Sequence, residues 1–356
     1  MSEKKKNARM LAAVLAAAVL IAAGFFCWHH IMLRKDARRL QDYGYRYASA
    51  GGDYALSYLK FGNDTADHIV VALAGRDVDD YGIRLIPMIE SLGSDLLFVP
   101  LDRAGCGLSG DTHTPQTVAQ VVDDYRTALK NANIEPPYVL LPHAYGGVEA
   151  TYWESKYPGE IEGVFYLDGT VLSEEPVKSR YSALRAGGLR LLSCFGMARL
   201  TSGLLGTLPP DYTAEQSEYA KLLNLYSFRT AAKNSAEKLL PQNCKTVYES
   251  IVTNDIPKAY ADASAFSTAE EYLAADAWAR AFRTMPYMTD EARIALAEQT
   301  AADCMDRRTV VIEPYLQKLG NCEYIALPGD SFIFMQRPMD CAVLFSRFLT
   351  RIERGA

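Results

Sequence analysis

Nineteen consecutive residues without a charge, Met10 to Trp28, constrain this chain before anything else in it. The run is mostly Ala, Leu, Val, Ile and Phe, with no polar face to turn to water. As a helix it comes close to spanning the roughly 30 Å hydrocarbon core of a bilayer. His29 to Leu33 can extend it. Lys4, Lys5, Lys6 and Arg9 precede it, Arg34, Lys35, Arg38 and Arg39 follow, and Trp28 stands where an interfacial anchor would. The basic start also fits a secretory signal peptide. The bulky Gly24-Phe25-Phe26-Cys27-Trp28 offers no cleavage site, however, and Cys27 has no good lipobox. The expectation is an uncleaved anchor over 1–39, spanning about 10–31, followed by a domain over 40–356.

Charge divides at the same place. Residues 1–39 carry eight Lys/Arg against two Asp/Glu, and the remainder 29 against 41, giving nets of +6 and −12. An acidic domain on a basic anchor argues against a nucleic-acid partner and leaves the membrane, through the N-terminal helix, as the expected one. With the short basic tail held inside, the domain lies outside the cytoplasm. Cys27 falls in the span; the other six cysteines show no spacing suited to zinc, and their disulfide pairing cannot be read from spacing. No metal or cofactor is expected.

From about residue 40, short apolar runs alternate with amphipathic helices, the pattern of βα units around a largely parallel sheet. Strands are predicted at Tyr54–Leu59, Ile69–Ala74, Leu96–Leu101, Tyr138–Pro142 and Val164–Asp168. Thr114-Pro115 reads as a helix start, with Val118, Val122, Tyr125 and Leu129 as its buried stripe. Pro338 opens a last helix with Cys341, Leu344, Phe345, Phe348, Leu349 and Ile352 facing inward. Between 172 and 250 the alternation stops. Helices are predicted there at Ser179–Cys194, Ala214–Leu225 and Ala231–Leu240, an insertion suited to a lid. Its tyrosines, Tyr212, Tyr219, Tyr226 and Tyr248, line either a pocket or the core. A second helical insertion is expected at about 266–308.

Two segments carry a resemblance. Asp102-Arg103-Ala104-Gly105-Cys106-Gly107-Leu108-Ser109 follows a buried strand, and Leu141-Pro142-His143-Ala144-Tyr145-Gly146-Gly147 joins a strand to a helix. With Leu73-Ala74-Gly75-Arg76 after the preceding strand, these resemble, in order, three landmarks of the α/β-hydrolase fold: D-x-x-G-x-G-x-S, the nucleophile elbow G-x-S-x-G, and the oxyanion loop. The resemblance covers roughly residues 43 to 350 and implies a mostly parallel sheet flanked by helices, with a helical lid. Gly146 and Gly147 leave room for the sharp turn, and Pro142 replaces the first glycine.

The departures matter more. The nucleophile position is Ala144, whose methyl group cannot attack a carbonyl. The family's histidine, on the loop after the last strand, matches Ser331 in Leu327-Pro328-Gly329-Asp330-Ser331-Phe332-Ile333. No histidine occurs after His143. The acid stays open. A strand at Ile256–Ala263 would offer Asp262 or Ser264, one at Thr309–Ile312 would offer Glu313, and Asp168 ends the sixth strand. The resemblance still implies oxyanion donors at the Tyr145 N–H and in the Gly75–Arg76 loop, able to hold a small carbonyl or carboxylate ligand. Arg76 would reinforce that preference. His143 reads as a buried structural histidine, His113 as a loop histidine within reach of a pocket, Cys106 as a packing residue with latent nucleophilicity, and Ser109 as a turn cap. Three functions follow: a binding protein without covalent chemistry, as the neuroligins resemble; a hydrolase with relocated residues such as His113 or Cys106; and a membrane-tethered interaction protein.

Overall fold

The structure is a computed structural model. It describes every residue except 1–2, 77, 94, 180, 201–207, 228–229, 284 and 356, and the side chains of 3–6, 8 and 200 are likewise outside it. Helix α1 (Glu3–Tyr43) contains the expected span and continues past it without a break. A helical window within Arg9–Tyr43 is long and apolar enough to cross a membrane, and none of that window is buried. The boundary expected at residue 39 falls inside this helix, where Leu40 is fully buried against the domain.

The sheet follows: β1 (Arg46–Ser49), β2 (Ala55–Tyr58), β3 (Phe61–Gly62), β4 (His68–Leu73), β5 (Leu96–Leu101), β6 (Tyr138–Pro142), β7 (Ile161–Leu167), β8 (Lys258–Asp262) and β9 (Cys322–Ala326). The order is β1-β2-β5-β4-β6-β7-β8-β9, with β3 paired to β5. From β5 to β9 every neighbouring pair is parallel; β1 and β2 enter antiparallel. Every residue of β5, β6 and β8 is buried, as strands covered on both faces require.

Between the strands lie α2 (Tyr81–Arg84), α3 (Ile86–Glu90), α4 (Val118–Asn131) and α5 (Gly146–Lys156), then α6 (Ala183–Cys194), α7 (Met197–Leu200), α8 (Ala214–Tyr226) and α9 (Ala231–Ser250). After β8 come α10 (Ala269–Phe282), α11 (Asp290–Arg307) and α12 (Glu313–Leu319); α13 (Ile333–Gln336) and α14 (Pro338–Glu353) close the chain. The predicted stripe of α4 is buried, but the helix starts later than Thr114-Pro115 suggested. Thr117 is its cap, accepting from the Gln120 N–H at 3.2 Å. The hydroxyl nearer the first helical turn wins because its oxygen reaches that donor. In α14, Phe345 and Phe348 pack on Phe165 of β7 with ring centroids 5.4 and 5.5 Å away. Each such buried ring contributes on the order of 1.5–3 kcal/mol.

Two expectations fail. Thr309–Ile312 is not a strand but a π-helical turn joining α11 to α12, so it carries no sheet-end acid. Its β-branched run is overridden by helix on both sides. Helix α9 also runs ten residues beyond Leu240, through Pro241, to Ser250.

Candidate functional site at the strand-to-helix turn

Strand β6 ends at Pro142 and α5 begins at Gly146, so three residues make the reversal. Ala144, in the middle, has φ +46°, the left-handed region that a side chain adopts only under strain. The glycines do what the sequence suggested. A Cβ on Gly146 would collide with the carbonyls of Leu73, which ends β4, and of Ala74 just after it, and one on Gly147 would sit 3.3 Å from Gly169. The turn is also bonded outward: Ala144 N–H donates to Leu167 O at 3.4 Å, and Thr170 N–H to Ala144 O at 2.9 Å. The elbow geometry is therefore complete around a methyl group.

The loop after β4 lies against it. A Cβ on Gly75 would come within 3.4 Å of Ala144 Cβ and 3.1 Å of His143 Nδ1, so only glycine fits without displacing one of them. Arg103 holds this loop from below. Its Nη2 donates to Ala74 O at 2.5 Å and to Gly75 O at 3.0 Å, and its Nη1 lies 3.3 Å from Glu149 of α5. Both members of that pair are buried, and Glu149 also accepts from Tyr125 Oη at 2.8 Å. The Tyr145 N–H, at the start of α5, donates to no main-chain carbonyl among the described residues. The Tyr145 hydroxyl, by contrast, is taken: Asn243 of α9 donates to it at 3.1 Å.

His143 packs between the Gly75 loop and the loop that follows β9. Its Nε2–H donates to the Ser331 carbonyl at 3.0 Å. Its ring lies among Tyr81, Phe332 and Phe334, with centroids 5.8, 5.0 and 5.1 Å away. Burial lowers the imidazole to about 4, so the ring is neutral near pH 7. Its Nδ1 has no partner among the described residues. The ring is thus buried and hydrogen-bonded through Nε2.

Ser331 lies on the loop between β9 and α13, as placed from the sequence, and its surroundings are cationic. Arg283 bonds both oxygens of Asp330 at 2.6 Å, comes within 3.4 Å of Ser331 Oγ, and lies over the Phe332 ring at 4.4 Å. An imidazolium at position 331 would meet a guanidinium.

The structure puts two of the three acid candidates together. Asp262 closes β8, fully buried, with Arg307 at 2.9 Å, Tyr324 Oη at 3.0 Å and the Ser264 N–H at 3.1 Å. Asp168, after β7, also has a positive φ, +48°. Its carboxyl accepts from the Ala263 N–H at 3.3 Å and is pushed up to about 7, mainly by burial and then by Asp262. Ser264 supplies only that N–H to Asp262. Glu313 is apart from this group: it opens α12 and pairs with Arg308 at 2.9 Å.

The other candidates take quiet positions. Cys106 is buried and its thiol is raised to about 12 by burial, which leaves no thiolate near neutral pH. Ser109 Oγ accepts from the Ser57 N–H at 2.7 Å and donates to Asp102 O at 2.9 Å. His113 is exposed on the loop before α4. Of the tyrosines, Tyr212 and Tyr219 are buried, Tyr212 donating to Arg84 O, whereas Tyr248 lines a groove.

That groove, about 680 Å³, lies between residues 172–177 and α9, walled by Leu172, Val177, Cys244, Lys245, Tyr248 and Lys318 among others. It begins two residues beyond Thr170, which bonds the elbow. Cys244 is raised to about 11 by burial, against the lowering charge of Arg76. Sequence reasoning missed the buried pairs beneath the site. Lys233 of α9 reaches Asp79 at 2.5 Å, 154 positions away, and no local pattern announces such a pair.

No protein-family model matches the chain. Among curated proteins it is 27% identical over 225 residues to the uncharacterized protein YbdG of Bacillus subtilis (strain 168), which covers 61% of this chain and 67% of that one. A shorter match, 33% over 82 residues, links it to YqjL of the same organism, spanning 32% of that protein. Among solved structures, the epoxide hydrolase CorEH superposes with a TM-score of 0.58 at 17% identity, covering 86% of this chain and 99% of its own. The enol-lactonase from Burkholderia xenovorans LB400 gives 0.55 at 15% identity, covering 86% and 100%. The two solved structures each match 86% of this chain, and with the strand order and the elbow they give one answer: this chain has the α/β-hydrolase fold.

Proposed function

We propose that this protein is a membrane-anchored binding protein that keeps the α/β-hydrolase scaffold without its covalent chemistry. One observation carries the reading: at a fully formed elbow the reacting position is a methyl group, and the neighbouring imidazole is neutral, buried and bonded to the Ser331 carbonyl. Covalent acyl transfer needs an electron pair at that turn and a base to take its proton; the methyl group of Ala144 offers no electron pair, and the nearby His143 ring, lowered to about 4 by burial, is a weak base. What remains favours holding a ligand. The Tyr145 N–H at a helix start, the Gly75 loop and Arg76 suit a carboxylate or carbonyl oxygen. The groove between residues 172–177 and α9, with Leu172, Val177 and Tyr248, suits an apolar body. The apolar window of α1 supports a single span, and a short N-terminal tail kept inside leaves the domain outside the cytoplasm.

The test uses the full chain in detergent micelles. A fluorophosphonate probe should leave it unlabelled, while octanoate should bind and Arg76→Ala should weaken that binding about tenfold, the loss of roughly one charge-assisted hydrogen bond. Stoichiometric labelling within the domain would end the non-catalytic reading in favour of relocated chemistry. Octanoate binding unaffected by Arg76→Ala would remove the ligand assignment alone.

A further inference from the structure

The strongest unexplained surface is on α6 and α7. The stretch 178–199 carries five Lys/Arg and no Asp/Glu, in a domain of net charge −12. Within it Leu184, Leu191 and Leu192 are 89%, 62% and 48% exposed, and only Ala186 of α6 is buried. Spacings of seven and eight residues put the three leucines on one face of the helix. Phe195, eleven positions after Leu184, continues the stripe.

The location of this stripe decides what it meets. Phe195 makes an edge contact with Phe26, inside the apolar run, at a centroid distance of 6.0 Å. Next to it Gly196 turns with φ +72°, and a Cβ there would strike the His29 ring. Arg199 donates to His29 Nδ1 at 3.1 Å and pairs with Asp36, both partners being largely buried. Further along α1, Arg39 pairs with Glu218 at 2.8 Å and Tyr43 packs on Tyr219 at 4.6 Å. The end of α6 is thus fixed beside residues 26–36, about 15 Å of helix rise at the edge of the apolar run.

We propose that α6 and α7 form an interfacial element that lies on the same bilayer the α1 span crosses, with the Leu184–Leu191–Leu192 face in the acyl boundary and the exposed Lys178 and Arg185 toward anionic headgroups. The stripe ends on a residue of the span itself, so its exposed members are turned toward the same apolar phase. Basic and apolar composition together is what such a helix needs. The segment that walls the groove, 172–177, leads into this element, which sets the groove beside the membrane surface. The proposal rests on α1 being a span, and its test separates the two.

The full chain is reconstituted in vesicles of phosphatidylglycerol and phosphatidylcholine, with or without phosphatidylcholine brominated at the headgroup end of its acyl chains. Wild-type quenching reports Trp28, hence the span; Trp28→Phe supplies the baseline from Trp153 and Trp278. In the Trp28→Phe background, Leu192→Trp and, separately, Leu191→Trp should each add emission that brominated lipid removes as fully as it removes that of Trp28. Added emission indifferent to bromine, with Trp28 still quenched, overturns the proposal and leaves the span standing; this is also the result if α6 instead packs on a second copy. If Trp28 itself is not quenched, both readings fall.

Discussion

His143 Nε2 and the main-chain oxygen of Ser331 are 3.0 Å apart, which joins the residue before the elbow to the position where the fold places its histidine. The bond binds the two loops by their wrong faces for chemistry. The imidazole spends its proton on a structural carbonyl, and the Ser331 side chain is left beside Arg283.

Restoring one group should therefore do little. Ala144→Ser alone gains a hydroxyl beside only a weak base, the His143 ring lowered to about 4, and no burst of p-nitrophenol from an activated ester should rise above the buffer rate. Adding Ser331→His should still give a slow enzyme, because Arg283 opposes an imidazolium there and Arg307 holds Asp262. Arg283→Ala on top of both should raise the rate about tenfold, the worth of roughly one pKa unit. A fast Ala144→Ser single variant would show that a base has been overlooked.

Stability should carry the signature of the buried ring. Between its ordinary 6.5 and its folded value of about 4, the unfolded chain takes up a proton that the folded chain refuses. The neutral ring's contribution is thus complete above the unfolded value and lost as pH falls toward the folded one, at about 1.4 kcal/mol per pH unit. His143→Phe removes this term together with the Ser331 bond. The gap in Tm between wild type and variant should narrow from about pH 7 to about pH 5; a gap independent of pH would contradict the assigned protonation state.

The Asp79–Lys233 pair ties α9 to the loop after β4, with both side chains buried and Lys233 also donating to Ser227 O at 2.6 Å. Burial raises the Asp79 carboxyl while the lysine opposes the rise. Lys233→Met strands that charge and should cost about 3–5 kcal/mol in denaturant titrations, most of it recovered in Asp79→Leu/Lys233→Met. Additive losses would mean the two residues act separately.

Ala144 still bears the strain of an elbow. A left-handed residue with a Cβ costs about 1–2 kcal/mol, and glycine's extra chain entropy returns roughly 0.5–1. Ala144→Gly should then stabilise the protein by about 0.5–1 kcal/mol. A loss would assign the methyl group a packing role against Gly75.

Cys106 should resist iodoacetamide in the folded protein and react only when denaturant opens the domain, since its thiol is buried and raised to about 12. Mass spectrometry of the alkylated chain, with exposed Cys194 as internal reference, reads this directly. Early labelling at Cys106 would return it to the list of reactive candidates.

The strands and the elbow were legible in the sequence because they rest on local rules. A buried strand such as Leu96–Leu101 is a continuous apolar run, and Gly146 and Gly147 mark a close approach wherever they occur. The tie between His143 and Ser331, 188 positions apart, had no such trace. Neither did the guanidiniums on Asp262 and Asp330, which come from α11 and the end of α10 and depend on how those helices pack. Thr309–Ile312 misled for the opposite reason. Four residues of β-branched character look like a strand until the helices on either side absorb them.

Helix α1 passes from its apolar stretch to Tyr43 in one piece, and only Gly44 and Tyr45 separate it from β1. Such a joint behaves as a stiff mast rather than a leash. Any tilt of the mast in a bilayer is handed to the sheet as rotation of the whole body, so the inclination of one helix sets which way the groove looks.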